Sequence, residues 1–462
     1  MILSMISGLC FTPLSAWAGD PHEHHQPDHH QPIEHIELNV SKGLLPGLPV
    51  LDQAITMEEA VHLGLENNIG IDVAEAEVGI RKTLLQGAKA QRWPVLSVGS
   101  LTFLRGGNSQ TLMTPDMMMN TVDSTLFQDL NATARVPLFT GGRIRGGISM
   151  ARFSLQSSEA ALKQTVVETA YQTKQAYLTA LLSKAEHLVH QQHLTVQQIL
   201  LKNTEVRYNV GRGLRADVLR IKTEMADAQK MLNEEHTRLN NAVYDLKAAM
   251  GLDMGSNIEV SETLDFSSWS GPVLDKLIQE AVANHPKVIE VQKQIQEAEA
   301  QIKIARSQYF PQVYGQATGN LRFPDRPDMM GNGIIGMATA SLPVFDKNRG
   351  AEIAKAHASL KKTQQSLKAL QLDISKQVAQ AWSELAFAKE NVALAEPAVA
   401  QSEENLRLIQ KRYEAGRAVI VEVQDVAWQL RQAQLNRAEA IFNHELAKAK
   451  LLQAVGQVSE KP

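Results

Sequence analysis

The chain has 462 residues, of which 44% are hydrophobic, 21% charged and only 5% aromatic, and its formal net charge is -4. That length permits more than one domain, whereas the low aromatic content is unusual for a protein built around large globular cores. The slightly acidic balance lacks the basic footprint of nucleic-acid-binding proteins, so we expect no nucleic-acid partner.

Residues 1–18 form a short apolar run that ends in Ala16-Trp17-Ala18, a small-x-small pattern at which signal peptidase cleaves. No later segment reaches the roughly 18 to 20 uninterrupted apolar residues of a membrane-spanning helix. We therefore expect a signal peptide and an exported protein without a helical anchor. Lipid attachment to the single cysteine, Cys10, is an alternative, although Leu9 is larger than the residue that usually precedes a lipidated cysteine.

Residues 19–50 are rich in histidine and proline, and we expect them to be disordered. Imidazole is a good ligand for Zn, Cu, Ni and Co, but the spacing of these histidines matches no closed tetrahedral site. The segment therefore indicates either a loose metal-buffering tail or a specific metal site. The histidines concerned are His22, His24, His25, His29, His30 and His35.

The remainder of the sequence contains an internal repeat. Residues 65–96 align without a gap on residues 282–313, and "RYNVGRGLRADV" at 207–218 aligns on "RYEAGRAVIVEV" at 412–423. One loop between these blocks is longer in the first copy. We assign repeat 1 to residues 51–256, repeat 2 to residues 257–456 and a tail to residues 457–462.

Each repeat begins with an interrupted helical stretch. Thr56 and Glu59 have the spacing of a capping box, in which each side chain binds the backbone N–H of the other residue. The helical pattern then breaks at Asn67-Asn68. In repeat 2, Pro272 opens the equivalent stretch and His285-Pro286 interrupts it.

Two segments with a period of two follow in each repeat, at about 95–105 and 125–137 and at about 312–322 and 333–343. Their length and alternation are typical of membrane β-strands, although an antiparallel sheet with one wet face has the same texture. Export without a helical anchor favours the outer membrane. We expect Pro137 and Pro343 to end the strands.

The last part of each repeat has the pattern of a long antiparallel helical hairpin, at about 143–250 and about 348–455, turning at Gly211 and Gly416. After Gly211 the apolar positions recur in alternating steps of three and four, as in a coiled coil, and only Glu235 interrupts the seam.

Four strands cannot close a membrane barrel, because the smallest have about eight. An open sheet edge in lipid would leave backbone groups unpaired, so the chain must assemble. Two copies would give a barrel of eight strands filled by its own side chains, and three give twelve strands, wide enough for a lumen. A wet lumen suits the polar residues Asp129, Asn131 and Thr133 on one strand face.

Together these features resemble the TolC-like outer-membrane factor family. The doubled plan, the junctions "PLFTGGR" and "PVFDKNRGAEI", and two "RYxxGR" hairpins, each with an acid six residues after its glycine, carry the resemblance over about residues 51–456. The family implies a mainly helical homotrimer with a twelve-stranded barrel in outer-membrane lipid and a helical tunnel through the periplasm of a Gram-negative bacterium. It also implies a periplasmic adaptor and an inner-membrane pump, expected to be of the RND type.

The resemblance also places a periplasmic gate and adaptor contact at the hairpin tips. Glu422 and Asp425 take the positions of a ring of acids at the narrowest point, where a trimer would concentrate six carboxylates and favour cations. Alternatively these acids are solvated residues at a helix start. Asp217 and Tyr413 take positions at which the family has a gate contact between neighbouring hairpins. The tip residues are Gly211, Asp217, Tyr413, Gly416, Glu422 and Asp425.

The glycine-rich stretch "VPLFTGGRIRGG" at 136–147 has neither the G-x-G-x-x-G nor the lysine spacing of a phosphate-binding loop. Its counterpart in repeat 2 has one glycine, so we expect the glycines to serve backbone geometry where the barrel meets the tunnel. The junction residues are Pro137, Phe139, Gly141, Gly142, Pro343 and Phe345.

The predicted function is a passive outer-membrane exit channel for an efflux pump. The histidine-rich start indicates heavy-metal cargo (Co/Zn/Cd or Cu/Ag), and drug efflux or type I secretion is the alternative. Four methionines in the longer strand-connecting loop are either Cu(I) ligands or exposed filler. They are Met113, Met117, Met118 and Met119.

A soluble periplasmic coiled-coil adaptor or scaffold is the alternative from another class. It would share the helical seams but would not need the two strand pairs. No hydrolase or metalloprotease motif is present, so we expect no enzymatic activity and no cofactor.

Overall fold

The structure is a computed structural model that describes residues 49, 51–105, 110–114, 117–121, 125–269, 271–323 and 332–459. The predicted signal peptide with Cys10 and the histidine-rich segment from His22 to His35 lie outside the described residues.

The first half of the chain contains a short strand, an interrupted helix, four further strands and a helical hairpin. In order they are β1 (Asp52–Ile55), α1 (Met57–Asn67), α2 (Ile69–Ala90), β2 (Val95–Arg105), β3 (Gln110–Thr114), β4 (Met117–Thr121), β5 (Thr125–Phe139), α3 (Arg143–Asn209) and α4 (Arg215–Ala249).

The described part of the second half repeats this order with one strand pair fewer. Its elements are β6 (Asn257–Val260), α5 (Leu274–Asn284), α6 (Pro286–Ser307), β7 (Gln312–Phe323), β8 (Gly333–Ser341), α7 (Asn348–Glu414) and α8 (Ile420–Val455). The predicted fold class, two repeats that each combine a strand hairpin with a long helical hairpin, is confirmed.

The short helices begin where the sequence supplies caps. The backbone N–H of Glu59 donates to the Thr56 hydroxyl over 3.3 Å and the N–H of Thr56 donates to the Glu59 carboxylate over 2.9 Å, which is the predicted capping box. Asn68 caps α2, and His285 caps α6 with Pro286 in the first helical position. The helical stretch is therefore interrupted at the equivalent place in both repeats.

The four long strands form one antiparallel sheet in the order β2-β5-β7-β8. Side chains alternate across it, so Ala132, Ala134 and Val136 share one face, and Asn131 and Thr133 the other. We call these the apolar face and the polar face. The sheet thus has the two-faced character that the alternating sequence indicates.

The expected strand end at Pro137 is wrong, because β5 continues through Pro137 to Phe139 and stays paired with β7. The register shifts between Pro137 and Phe139, and such an irregularity lets a strand accommodate a residue that has no N–H to donate. In repeat 2, β8 ends at Ser341, two residues before Pro343.

The two helical hairpins dominate the molecule. Helices α3 and α7 each have 67 residues, which corresponds to roughly 100 Å of helix at 1.5 Å per residue. The predicted seam of α4 is largely buried, and it includes Glu235, which is only 5% exposed. Helix α7 runs on through Pro397.

Two small sheets were not predicted. Strands β1 and β6 pair in parallel, with Asp52 opposite Asn257, and so join the starts of the two repeats. Strands β3 and β4 form a hairpin in which Met113 lies opposite Met118. The methionines expected in a loop therefore lie on a strand pair.

None of the helices in the described ranges combines the length and the apolarity needed to cross a membrane.

Candidate functional site

The two hairpin tips have the same turn. Gly211 and Gly416 adopt φ values of +80° and +73°, a left-handed conformation that glycine tolerates without steric cost. In each turn the glycine N–H donates to the carbonyl of a tyrosine three residues earlier, Tyr208 or Tyr413, over 2.9 Å. The structure thus places both predicted tip glycines where the chain reverses.

Tyr413 joins the second hairpin to the first. Its hydroxyl lies 3.2 Å from the hydroxyl of Thr204 on α3. The guanidinium of Arg207 lies over the Tyr413 ring, 4.5 Å from its centroid, and also donates to the Tyr413 carbonyl. Within the described part of the chain, no hydrogen bond connects Tyr413 to Asp217.

An apolar cluster next to the turns, on the side towards the middle of the long helices, supports this contact. Leu200 of α3, Ile221 of α4, Ile409 of α7 and Val423 of α8 are buried together, with Tyr413 packed against them. Burial of such side chains contributes about 1.5–3 kcal/mol each. All four long helices are therefore fixed relative to one another near the turns.

Three carboxylates lie at the starts of the returning helices. Asp217 is in the first turn of α4 and is half-buried, whereas Glu422 and Asp425 are exposed near the start of α8. Across the described ranges, none of the three forms a hydrogen bond or a salt bridge. Their charges are therefore available to ions or to a partner.

The two tips differ in charge. The repeat alignment places Asp217 opposite Glu422, but it places Arg220 opposite Asp425. The first tip thus carries an acid and a base where the second carries two acids. Like-charged residues three positions apart on a helix are neighbours and repel each other, whereas acids near a helix start interact favourably with the helix dipole, so the two effects oppose each other in the acid pair on α8.

The junction between β5 and α3 depends on its glycines. Gly141 has a φ of +59°, and a Cβ atom there would lie 2.5 Å from the Cβ of Phe310 and 2.7 Å from the carbonyl oxygen of Ser307. Gly142, at φ +91°, precedes the first helical residue Arg143. The glycines therefore serve a turn with a close backbone approach.

The junction between β8 and α7 makes the same transition with polar side chains. The Asp346 carboxylate accepts from the Asn348 N–H over 2.9 Å. Arg349 is buried, and its guanidinium donates to the carbonyls of Pro343 and Gln308. Phe345 is 87% exposed.

On the polar face of the sheet, Arg135 lies beside Tyr314, and Arg143 at the start of α3 reaches the same tyrosine. Arg135 stacks over the Tyr314 ring at 4.2 Å, and Arg143 donates to the Tyr314 hydroxyl over 3.1 Å. Thr133 and Thr318 lie 3.3 Å apart on the same face. The polar face is thus an organised hydrogen-bonding surface that ends at the α3 junction.

A buried polar cluster lies along the hairpins between α3, α4 and α8. Burial lowers the pKa of His193 to about 4, and the charge of Arg431 acts in the same direction. Burial also raises the pKa of Glu186, with the neighbouring charge of Glu235 as the next cause. Of these residues the sequence indicated only Glu235, because histidines and arginines on a helical seam have no distinctive spacing.

The described residues contain no group of three or more His, Cys, Asp or Glu side chains arranged to hold a metal ion. His22, His24, His25, His29, His30 and His35 lie outside the described residues, as do the side chains of Met113, Met117, Met118 and Met119.

The sequence alone does not indicate Thr204 and Arg207 as partners of Tyr413. Arg207 belongs to the repeated "RYxxGR" motif, so its position was visible, but its contact with the other repeat was not. The pairing of Arg135 and Arg143 with Tyr314 was also missed, because it joins residues about 170 or more positions apart.

The sequence model of the family described as "Outer membrane efflux protein" matches residues 60–252 and 277–457 of this chain. The outer membrane efflux protein BepC of Brucella suis biovar 1 (strain 1330) is 22% identical to it over 433 residues, which is 92% of this chain and 91% of BepC.

Two solved structures share the fold. The outer membrane protein VceC from Vibrio cholerae superposes with a TM-score of 0.74 at 16% identity, covering 87% of this chain and 96% of VceC. The CmeC outer membrane channel of Campylobacter jejuni superposes with a TM-score of 0.76 at 11% identity, covering 94% of this chain and 96% of CmeC.

Proposed function

Because this chain belongs to the outer membrane efflux protein family, we propose that it is the exit channel for heavy-metal cations expelled by an inner-membrane pump. The chain is a subunit of the trimeric outer-membrane channel of a tripartite efflux system, extends into the periplasm and works with an adaptor and a pump. It is not an enzyme.

The unpaired acid pair at the start of α8 carries the cation proposal. Glu422 and Asp425 are exposed, three residues apart, and without a partner in the described residues. A trimer brings six such carboxylates around one axis, and a ring of carboxylates favours cations over anions. We assign Gly211, Asp217, Tyr413 and Gly416 to the same gate, where the tips close the tunnel and contact the adaptor.

The histidine-rich segment is the second observation that supports a metal cargo. Six imidazoles within residues 22–35 favour Zn, Cu, Ni and Co over organic substrates. The segment would act as a loose metal-binding tail at the channel, and the pump would belong to the RND type. Residues 1–18 would be removed as a signal peptide, leaving the two repeats at 51–256 and 257–456.

The two faces of the sheet support a place in the wall of an outer-membrane barrel. Its apolar face would contact outer-membrane lipid in the trimer, and its polar face, with Asn131, Thr133 and Arg135, would line the lumen. Polar side chains of this kind suit a water-filled barrel of about twelve strands.

The proposal is tested by deleting the gene and measuring growth inhibition by Co, Zn, Cd, Cu and Ag, and by dyes and antibiotics. We expect metal tolerance to fall and drug tolerance to change little. Complementation with the full chain should restore tolerance. Sensitivity to drugs alone would contradict the metal assignment and favour the drug-efflux alternative.

A second strain tests the role of the histidine-rich segment separately from that of the channel. Deletion of residues 20–35 should lower metal tolerance while the trimer still forms. Unchanged tolerance would remove the histidines from the mechanism and leave the channel assignment intact.

A further inference from the structure

We propose that a cleft at the β5–α3 junction binds the headgroup of an anionic phospholipid. The proposal rests on the proposed placement of the apolar sheet face in lipid. The cleft has a volume of about 390 Å³. Its walls include Arg92, Arg145, Pro137, Leu138, Phe139 and Ile144.

The cleft has two cationic residues and no acidic one in its lining. Arg92 follows α2 and Arg145 lies in the first turn of α3, so the two guanidiniums come from different elements. Both residues are exposed, and neither side chain has a hydrogen bond or salt bridge within the described part of the chain. Two guanidiniums without a carboxylate favour an anion, and their planar donor groups match a phosphate.

An apolar wall adjoins the two charges. The side chains of Val136 and Leu138 both lie next to Gly315, at 3.3 Å and 3.5 Å from the position of a Cβ there, so they share one side of the sheet. Leu138 is 61% exposed. The apolar face therefore continues into the cleft, and a ligand that carries both a phosphate and an acyl chain matches the two halves of the cleft.

The position of the cleft along the molecule fits a lipid headgroup. Exposed aromatic side chains surround the strand ends at the same level, and such residues are typical of the boundary between membrane and water. Anionic headgroups lie at that depth and attract nearby arginines. The exposed aromatic residues are Trp93, Phe139, Tyr309, Phe310 and Phe345.

Among the described residues, the β8–α7 junction of repeat 2 has a different charge arrangement. Its junction arginine, Arg349, is buried and donates to backbone carbonyls, and the Asp346 carboxylate lies 4.0 Å from it. An anion would meet a paired cation and a negative charge there. The proposal therefore predicts one lipid for each protomer, or three for each trimer.

The site is selective by charge. A phosphatidylethanolamine headgroup brings its own ammonium, which would find no carboxylate in the cleft lining, whereas phosphatidylglycerol presents only the phosphate charge. We expect the intact trimer to retain phosphatidylglycerol and to lose phosphatidylethanolamine with the same acyl chains.

The test uses native mass spectrometry of the detergent-purified full-length trimer with each of these two lipids. We expect up to three bound phosphatidylglycerol molecules, and binding weakened by at least about tenfold in Arg92→Gln/Arg145→Gln, because the charged donors are lost. Arg152→Gln removes an exposed arginine of α3 outside the cleft and should bind like the unaltered protein.

Several results would overturn the proposal: equal retention of both lipids, unchanged phosphatidylglycerol binding in the double variant, or displacement of the lipid by an equal concentration of inorganic phosphate. A disulfide between Leu138→Cys and Phe345→Cys of neighbouring copies would show that a second copy fills the cleft. If the double variant does not assemble, Arg145→Gln alone is measured, with an expected partial loss.

The result of the lipid-binding experiment does not depend on which substrate the channel exports. Failure of the metal-tolerance experiment would leave selective lipid retention unaffected. Retention of neither lipid would contradict this site and would also count against the placement of the apolar face in the membrane.

Discussion

The Tyr413 hydroxyl lies 3.2 Å from the Thr204 hydroxyl, and this contact joins the second helical hairpin to the first within one protomer. The two residues are separated by 209 positions. Arg207 reinforces the same contact by stacking on the Tyr413 ring. If the proposed gate opens by separating the hairpins, this contact must break.

Tyr413→Phe should therefore favour the open channel. It removes one hydrogen bond and keeps the ring beneath Arg207, so the closed state should lose about 0.5–1.5 kcal/mol and the open fraction should rise about two- to tenfold. Single-channel recordings of reconstituted trimers measure this fraction.

Tyr208→Phe is the matched control, because Tyr208 occupies the equivalent position in repeat 1, is 43% exposed and has no side-chain hydrogen bond within the described residues. An equal effect of both substitutions would show that the cross-hairpin contact does not hold the gate.

Glu422→Gln combined with Asp425→Asn should weaken cation selectivity. The substitutions keep the shape of the side chains and remove six negative charges from a trimer, so block by divalent cations and cation conductance should both fall. Glu414→Gln removes an exposed acid at the end of α7 and should change neither property. Unaltered block and conductance in the double variant would contradict the ring assignment.

Gly141→Ala should destabilise the β5–α3 junction. The residue has a φ of +59°, and the added Cβ would lie 2.5 Å from Phe310. Such backbone strain costs about 1–3 kcal/mol before any clash is relieved, so the trimer should dissociate at a lower temperature on heated gels.

Gly147→Ala provides the opposite expectation in the same segment. Gly147 is helical, and no atom lies within 4 Å of its added Cβ. Removing a helical glycine should stabilise the protein by about 0.5–1 kcal/mol. Equal losses of stability in Gly141→Ala and Gly147→Ala would mean that the turn geometry at Gly141 does not cause the destabilisation.

His285 should make the protein less stable in acid. Its Nδ1 accepts from the Lys287 N–H over 3.2 Å and caps α6. Burial lowers the pKa of His285 from 6.5 to about 4, and the Lys287 charge adds to this shift. As the pH falls, His285 takes up its proton at a higher pH in the unfolded chain than in the folded protein. The stabilisation is therefore present above about pH 6.5 and is lost as the pH falls towards 4.

His285→Asn retains a capping acceptor that does not titrate. We expect the free energy of unfolding, measured with denaturant at pH 7.5 and pH 5, to fall less steeply in this variant than in the unaltered protein. His285→Ala should lose about 0.5–2 kcal/mol at pH 7.5 because the cap is absent. Identical pH profiles for all three proteins would exclude His285 as the acid-sensitive group.

Periodicity predicted the large elements. The helical hairpins and the four long strands extend over many residues, so a spacing of three and four or of two is recognisable in them. The capping box at Thr56 was recognisable for a similar reason, since Thr56 directly precedes the helix and Glu59 lies in its first turn. These features are local, and local features are what a single sequence encodes most directly.

Contacts between distant segments were not predictable in this way. Strands β1 and β6 have four residues each and pair over a separation of 205 positions, so neither shows a period of its own. The end of β5 was misplaced because a register shift allows Pro137 to stay within the strand. The Tyr413 contacts depend on how the two repeats pack, which the alignment of the repeats does not contain.

The charge difference between the two hairpin tips lowers the symmetry of the trimer. Two similar hairpins in each of three copies suggest a sixfold arrangement, but the exchange of Arg220 for Asp425 makes alternate tips chemically different. If the tips form the proposed gate, a ligand on the channel axis, or a ring of adaptor subunits around it, encounters two kinds of binding position that repeat three times. The internal duplication thus gives one chain two tips of different charge, and a partner that recognises only one kind of tip would bind at every second tip.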